Sequence, residues 1–414
     1  MIYYLKRSIK AFIIFSIIML YANITHAQNR IQGRVISEVT GEPIPYASVF
    51  FANTTFGSST DLNGRFVFSN FPPGKYDLSV SYVGYKAYKR ALEFSQNQTI
   101  EFDIILSEEV TELYAITVKP DTANWQRNYQ SFKLHFLGTS RFAEKALIQN
   151  PEDIHLYYDA STSVLVAHAR KPIIIDNPLT GYRIYYYLDR FEYNGKAGFI
   201  EIFGVPQFEL LKAKNNAEQR KWKRNRQDIY EGSLIHFTRS WLAQNWIEEG
   251  FSVARMYRIP NKERPSEAFL SAKINQLRST LLHDESGLNM KIKNSLRDSL
   301  SYYISLRSKP VVIDSVLNEK LTGAEFTAAA AQEIKDFSGL LQVRYRKNED
   351  QRYAAIVGRA GKVLKQKSIV QVRAPLKLYS NGYYEDVQSV FLEQYWSWSE
   401  KISTLLPLDY EPAK

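Results

Sequence analysis

Hydrophobic and polar positions alternate with a period of two between residues 30 and 107. The alternating runs are short, and turn sequences rich in Gly, Pro, Asn and Asp separate them. Leu78, Val80 and Tyr82 share one face of such a run, and Ile104 and Leu106 share a face of another. This alternation indicates strands with one buried face. About seven strands at this spacing predict a β-sandwich over residues 28–107.

The pattern becomes mixed after residue 121. From Trp125 to Phe136, aromatic residues recur at helical spacing and predict an amphipathic helix. A short helix is predicted over 141–149, and strands over 154–204 with a two-residue hairpin turn at Asn194-Gly195. Two more helices are predicted between 216 and 249. These elements predict an α+β domain over residues 124–260.

The last third of the chain divides into two parts. Residues 261–338 are polar, lean toward helix in 266–282 and 322–337, and are predicted to be an insertion or a linker. Residues 339–414 return to strands and are predicted to pack with 124–260. The predicted fold class is mainly β / α+β: an N-terminal seven-stranded β-sandwich followed by an aromatic-rich α+β domain.

Residues 1–27 have the pattern of a signal peptide. Lys6, Arg7 and Lys10 precede an apolar run of 12 residues, and Ala27 ends a plausible cleavage site. The run is shorter than the roughly 20 residues that a membrane span needs, although an uncleaved anchor or a buried core helix would also fit it. We therefore expect the chain to be exported and, after cleavage, peripheral to the membrane at most. Because the sequence contains no cysteine, it has no site for a lipid anchor, a disulfide or a thiolate-bound metal.

Five sequence blocks recur in a fixed order in residues 30–118. They are Ile31-x-Gly33-x-Val35, Thr40-Gly41-Glu42-Pro43-Ile44-Pro45, Ala47-Ser48-Val49, Thr60-Asp61-x-Asn63-Gly64-x-Phe66 and Leu78-x-Val80-Ser81-Tyr82-x-Gly84-Tyr85. This segment resembles the carboxypeptidase regulatory-like domain. The resemblance implies a transthyretin-like sandwich of the carbohydrate-binding-like fold, similar to modules that precede TonB-dependent outer-membrane receptors. A short strand follows the module in those receptors, and residues 108–123 are predicted to be such a linker strand.

Residues 124–237 are similar to uncharacterised exported proteins that carry the same module. The longest shared block is Trp222-x-x-Asn225-Arg226-x-x-x-Tyr230-x-Gly232-Ser233-x-x-His236-Phe237. This similarity implies an architecture and no activity.

Catalytic motifs are missing from the sequence. None of the six histidines is followed three residues later by Glu, as a carboxypeptidase zinc site would require, and no Gly-x-Ser-x-Gly occurs. His236 beside Ser233 is the histidine in the most suggestive setting, although a structural or capping role fits it better. Glu192, Glu248 and Glu249 are candidate carboxylates by residue type alone. We therefore predict no catalytic residue, no metal ligand and no cofactor.

Positive charge is concentrated outside the sandwich. The net charge is +10, residues 28–107 carry seven basic and seven acidic side chains, and residues 212–226 carry seven basic side chains against Glu218. Trp222 with Lys221, Arg224 and Arg226 is the candidate ligand-binding cluster, because an aromatic ring can stack on a sugar and cations can hold phosphate or carboxylate. Alternatively, the basic residues form a solvated helix face and Trp222 lies on its buried side.

These features predict a non-catalytic protein of the Gram-negative cell envelope, located in the periplasm or associated with the outer membrane. Its expected partner is an envelope glycan or an outer-membrane or periplasmic protein, and no nucleic acid, because an exported protein meets little of it. The alternatives are an envelope hydrolase with a site in 122–250 and a purely structural assembly factor.

Overall fold

A computed structural model describes residues 29–109, 124–282, 289–320, 339–373, 377–385 and 387–413. The predicted signal peptide, residues 110–123 of the predicted linker strand and the helix predicted over 322–337 lie outside the described residues. The described part consists of three β-rich units joined by helices, and most strand pairs are antiparallel. The predicted fold class, mainly β / α+β with an N-terminal β-rich domain, is confirmed.

The first unit is a sandwich of two four-stranded sheets. One sheet has the order β4-β1-β7 with β8 also paired to β1, and the other has the order β3-β2-β5-β6. The strands are β1 (Asn29–Ser37), β2 (Ser48–Phe51), β3 (Gly57–Ser59), β4 (Arg65–Phe71), β5 (Gly74–Ser81), β6 (Tyr88–Phe94), β7 (Thr99–Glu101) and β8 (Ile104–Leu106).

The sandwich has eight strands where the sequence predicted about seven. The short strands β7 and β8, separated at Phe102, pair in succession with β1 in parallel. Between them the Phe102 carbonyl oxygen approaches Gly33 so closely that a Cβ there would lie 1.9 Å from it. Gly33 therefore permits the crossing that separates the two strands.

The second unit is a six-stranded sheet covered by one helix. Its elements are α1 (Trp125–Phe136), β9 (Leu147–Ile148), a 3-10 turn (Pro151–Asp153), β10 (Ile154–Asp159), β11 (Val164–Ala169), β12 (Ile173–Asn177), β13 (Tyr182–Asn194) and β14 (Phe199–Leu210). The order is β10-β11-β13-β12-β9, and β14 pairs along the whole of β13. As predicted, α1 is amphipathic, and it buries Tyr129, Phe132 and Phe136.

Two local predictions in this unit were wrong. Residues 141–149 form turns and β9 instead of a short helix, because Leu147 and Ile148 pair with β12. The β13–β14 hairpin turns at the predicted place, but its loop has four residues, since Asn194 pairs with Phe199. The Asn194 side chain accepts hydrogen bonds from the backbone N–H groups of residues 196 and 197, which stabilises the longer loop.

The third unit is a five-stranded antiparallel sheet in the order β16-β15-β17-β18-β19. The remaining elements are α2 (Asn216–Tyr230), α3 (Leu234–Leu242), β15 (Phe251–Pro260), α4 (Glu267–Leu282), α5 (Met290–Ser308), β16 (Val312–Lys320), β17 (Gly339–Asn348), α6 (Gln351–Ile356), β18 (Lys365–Val372), a 3-10 turn (Val387–Ser389), β19 (Val390–Gln394), α7 (Tyr395–Ser399) and a 3-10 turn (Ile402–Thr404). Helix α4 corresponds to the helix predicted over 266–282. The pair α4–α5 connects the adjacent strands β15 and β16, and β15 pairs with β17, so the sheet combines segments from both sides of 261–338.

The C-terminal segment, residues 400–413, joins all three units. After α7 it returns to the second unit, where Ile402, Leu406 and Tyr410 are part of the core beneath α1. The sandwich loop after β2 pairs with it and with β14: Asn53 N–H donates to the Pro206 carbonyl at 2.7 Å and its carbonyl accepts from Leu408 N–H at 2.6 Å. This junction positions the cleft described below. Within the residues that the structure describes, no helix has the length and apolar character needed to cross a membrane.

Candidate functional site

Helix α2 carries the predicted ligand-binding cluster. Its N-terminus is capped by Asn215, whose side chain accepts from the backbone N–H of Glu218 at 2.9 Å, while the Glu218 carboxylate accepts from Lys214 N–H at 2.7 Å. These two bonds satisfy donors that a helix start leaves unpaired. The helix buries one face, on which Trp222, Asn225 and Tyr230 lie.

The buried face of α2 holds the loop between β12 and β13 by its carbonyl groups. Trp222 Nε1 donates to the carbonyl of residue 178 at 2.9 Å, and Asn225 Nδ2 donates to that of residue 179 at 2.6 Å. Arg226 donates from Nε to the carbonyl of residue 180 at 2.6 Å and from Nη2 to that of residue 181 at 3.2 Å. Four successive carbonyls are thus bound by one helix, which explains why Trp, Asn and Arg occur at this spacing.

The structure separates the four predicted site residues into two pairs. Trp222 is 6% exposed, and its ring lies against Gly181. Arg226 is half-buried, with its guanidinium carbon 3.9 Å from the centroid of the Tyr182 ring. Both line the same cleft, whereas Lys221 and Arg224 are exposed on another face of α2. The ligand-binding role of these residues stays a prediction.

The cleft has a volume of about 560 Å³ and lies where the sandwich, β13–β14, α2 and the C-terminal segment meet. Its lining combines aromatic side chains with polar and charged ones. It is lined by Thr55, Tyr182, Leu210, Gln219, Arg220, Trp222, Lys223, Arg226, Asp409, Tyr410 and Glu411. The volume falls within the usual range for small-ligand sites.

Most cleft residues were missed by the sequence analysis. Lys223 could have been found, because it lies three positions before Arg226 on the same face of α2. Thr55 and Asp409 could not, since they are 354 positions apart.

Electrostatics in the cleft differ between its two sides. Asp409, on the C-terminal segment, accepts hydrogen bonds from Thr55, from the backbone N–H at 2.8 Å and from the hydroxyl. On the opposite side, burial lowers the pKa of the Arg226 guanidinium. Burial also raises the pKa of Tyr182, and it raises the pKa of Tyr410 to about 12, so both phenols are neutral hydrogen-bonding groups at neutral pH.

His236 and Ser233 serve the fold. The Ser233 hydroxyl donates to the Tyr230 carbonyl at 2.7 Å and accepts from His236 N–H at 3.2 Å, so it caps α3. His236 Nδ1 accepts from Gly232 N–H at 3.1 Å, which leaves Nε2 to donate to Glu249 at 3.1 Å. Burial lowers the pKa of His236. Both ring nitrogens are therefore engaged, and the Ser233 hydroxyl is bonded to backbone rather than to the imidazole.

The remaining candidate carboxylates are Glu192 and Glu248, and Asp61 lies in a turn of the sandwich. Glu192 forms an ion pair with Arg190 at 3.1 Å, and Glu248 is exposed. Asp61 accepts from the backbone N–H groups of Asn63 and Arg65 and so closes a turn. In the part of the chain that the structure describes, no three His, Asp or Glu side chains are grouped closely enough to hold a metal ion.

Glu400 is a partly buried acid at the start of α3, and it makes stability depend on pH. Its carboxylate accepts from Leu234 N–H at 3.0 Å, and burial raises its pKa to about 7 from an ordinary value of 4.5. A raised folded-state pKa stabilises the fold below pH 4.5, and this contribution is lost as the pH rises through 7. Glu400→Gln keeps an acceptor without the charge. We expect it to increase the free energy of unfolding by about 1 kcal/mol at pH 8 and to have little effect at pH 4.

The measurement is urea unfolding of both proteins across this pH range. The exposed Glu248→Gln is the control and should leave the profile unchanged. A Glu400→Gln variant that is less stable than the parent at pH 8 would contradict the prediction.

Comparisons with known proteins add little beyond the N-terminal domain. A search of the curated proteins found no match. Three solved structures are similar to parts of the chain, all at low TM-scores. A 3-chlorocatechol 1,2-dioxygenase from Rhodococcus opacus 1CP has 13% identity over 20% of this chain and 60% of that chain, with a TM-score of 0.15. The chain thus spans less than two thirds of that dioxygenase.

The other two structures come from Bacteroides. A membrane-associated protein of unknown function from Bacteroides fragilis has 9% identity over 89% of this chain and 95% of its own, with a TM-score of 0.16. A candidate carbohydrate-binding protein from Bacteroides uniformis has 10% identity over 43% of this chain and 78% of its own, with a TM-score of 0.16. TM-scores this low do not support any conclusion about the fold or function of this chain.

The family comparison concerns the sandwich. The five sequence blocks lie in its strands and turns, and the two sheets enclose one aromatic core around Phe51. Residues 31–118 match the family model of the CarboxypepD_reg-like domain, which confirms the resemblance found in the sequence.

Proposed function

We propose that this protein is a non-catalytic component of the cell envelope that binds a glycan in the cleft between α2 and the C-terminal segment. The observation that carries the proposal is the cleft itself, which has a volume of about 560 Å³ and is lined by four separate parts of the chain. Ligand sites commonly occur at the interface between domains, as this cleft does between the sandwich and the second unit.

The chemistry of the lining suits a saccharide. Thr55, Gln219, Tyr182 and Tyr410 provide neutral hydrogen-bonding groups in the same cleft. A sugar presents many hydroxyl groups, each of which can donate and accept, and a site with such partners can satisfy them. The exposed apolar side chain of Leu210 can cover a sugar ring face.

The location in the envelope is part of the proposal. The basic and apolar pattern of residues 1–27 supports export. A CarboxypepD_reg-like domain is compatible with a non-catalytic envelope protein. A protein loop is the competing occupant of the cleft, and the experiment below separates the two.

The test compares two double variants of α2 that remove the same charge. Arg220→Ala with Lys223→Ala alters the cleft wall, and Lys221→Ala with Arg224→Ala alters two exposed cations of the same helix that do not line the cleft. We expect the cleft variant to lose about tenfold or more of its affinity for isolated envelope polysaccharide, because charge-assisted hydrogen bonds are lost. The control should change by about twofold at most.

Affinity is measured by retention of the purified chain on immobilised polysaccharide. Equal losses in the two variants would indicate attraction by overall charge and would contradict a site in the cleft. No binding of the parent protein to polysaccharide, together with recovery of an envelope protein in pull-down that the cleft variant fails to recover, would favour the protein loop as occupant.

A further inference from the structure

Arg226 is a half-buried cation that lines the cleft. Its Nε and Nη2 donate to two loop carbonyls, and the Tyr182 ring covers one face of the guanidinium. Among the described residues, no Asp or Glu forms an ion pair with it. Removal of a cation from water is costly, and burial lowers the pKa of Arg226 for this reason. The two carbonyl bonds satisfy only part of a group that has five N–H donors.

The other charged residues of the cleft do not neutralise Arg226. Arg220 and Lys223 are exposed on the same wall and add positive charge near Arg226. Asp409 and Glu411 lie on the C-terminal segment. Both oxygens of Asp409 already accept hydrogen bonds from Thr55, and Glu411 is exposed to solvent. An anionic ligand group would therefore be stabilised most on the α2 side of the cleft.

From this geometry we infer that the glycan bound in the cleft is acidic, and that a sugar carboxylate binds to Arg226 with Arg220 and Lys223 beside it. This inference rests on the proposed function and adds the class of ligand. Since the Tyr182 ring covers one face of the guanidinium, a ligand group meets its edge. A planar carboxylate matches that edge with two parallel hydrogen bonds, which a lysine at the same place could not form.

The experiment uses envelope polysaccharide before and after chemical reduction of its carboxyl groups to alcohols. Reduction keeps the sugar backbone and removes the negative charge. The full chain should bind the native polysaccharide about tenfold or more tightly than the reduced one, since one charge-assisted bidentate pair is lost. Equal affinity for the two would overturn the inference and leave the proposed function standing. If neither form binds, both fail.

Substitutions assign the preference to Arg226. Arg226→Lys keeps the charge but not the fork, and it is expected to reduce the preference for native polysaccharide by about tenfold. Because Arg226 also holds the loop, thermal unfolding must show that this variant is folded. The Lys223 side chain forms no hydrogen bond or ion pair with the described residues, so its replacement should leave the fold intact. Lys223→Gln should reduce the same preference, whereas the matched Arg224→Gln should not. An unchanged preference in both Arg226→Lys and Lys223→Gln would overturn the inference.

Discussion

Replacing Gly181 by alanine is expected to lower the free energy of unfolding by about 2–5 kcal/mol. Gly181 has φ +67°, and a Cβ on it would lie 2.2 Å from Cδ2 of the Trp222 indole. The left-handed backbone costs an L-residue about 1–2 kcal/mol, and overpacking a filled site costs about 1–3 kcal/mol. The ring cannot withdraw without losing the Trp222 hydrogen bond to the loop. We therefore expect loss of glycan affinity together with loss of stability.

Gly198→Ala separates the two costs. Gly198 has φ +62°, nearly the same backbone conformation, but a Cβ on it would have no neighbour within 4 Å. It should lose only about 1–2 kcal/mol in urea unfolding and keep its affinity for the glycan. If the two alanine variants were equally stable, the contact between Gly181 and Trp222 would contribute nothing, and the account of the loop would be wrong.

Phe50→Ala is expected to lower the free energy of unfolding by about 3 kcal/mol. Its neighbours Val49 and Phe51 belong to the sandwich core, so Phe50 points out of the sandwich. It is nevertheless 1% exposed, because its ring stacks on Tyr187 of β13 with centroids 5.0 Å apart. The side chain therefore holds the sandwich against the second unit. Its removal should also increase cleavage between the two units in limited proteolysis.

Val67→Ala is the matched control on the sandwich surface. Val67 is 48% exposed, and its truncation should cost less than about 0.5 kcal/mol. The comparison is made by urea unfolding of the full chain. A loss for Phe50→Ala as small as that for Val67→Ala would mean that the sandwich and β13 do not pack together in solution.

Elements with a clear local period could be predicted well. The sandwich and α1 follow from alternation and helical spacing, because each buries a regular face. Predictions failed where pairing with a distant segment outweighed local preference. Residues 147–148 form a strand because they pair with β12. That partner lies outside the local stretch of sequence from which a helix over 141–149 was predicted.

The candidate site was also predictable only in part from the sequence. The basic cluster with Trp222 was identified from the sequence, and so were both interpretations of it, a binding surface and a buried helix face. The structure contains elements of each: the indole is buried against the loop, and Arg226 reaches the cleft. Which of the five cations of α2 line the cleft depends on the docking of the helix, and that docking depends on residues some 45 positions earlier in the chain.

The sequence by itself was sufficient to identify several features of this protein. They are the absence of cysteine, the basic segment, the periodic strands and the sequence blocks of the N-terminal domain. Only the tertiary structure showed three other features. They are the burial of Phe50, the face of α2 that is buried, and the cleft to which Thr55 and Asp409 contribute. The physical reason is that periodicity reports which face of an element is apolar, but not which other element covers it. That second choice is made by contacts between segments that are distant in sequence, from 44 positions for Trp222 and the loop to 354 for Thr55 and Asp409.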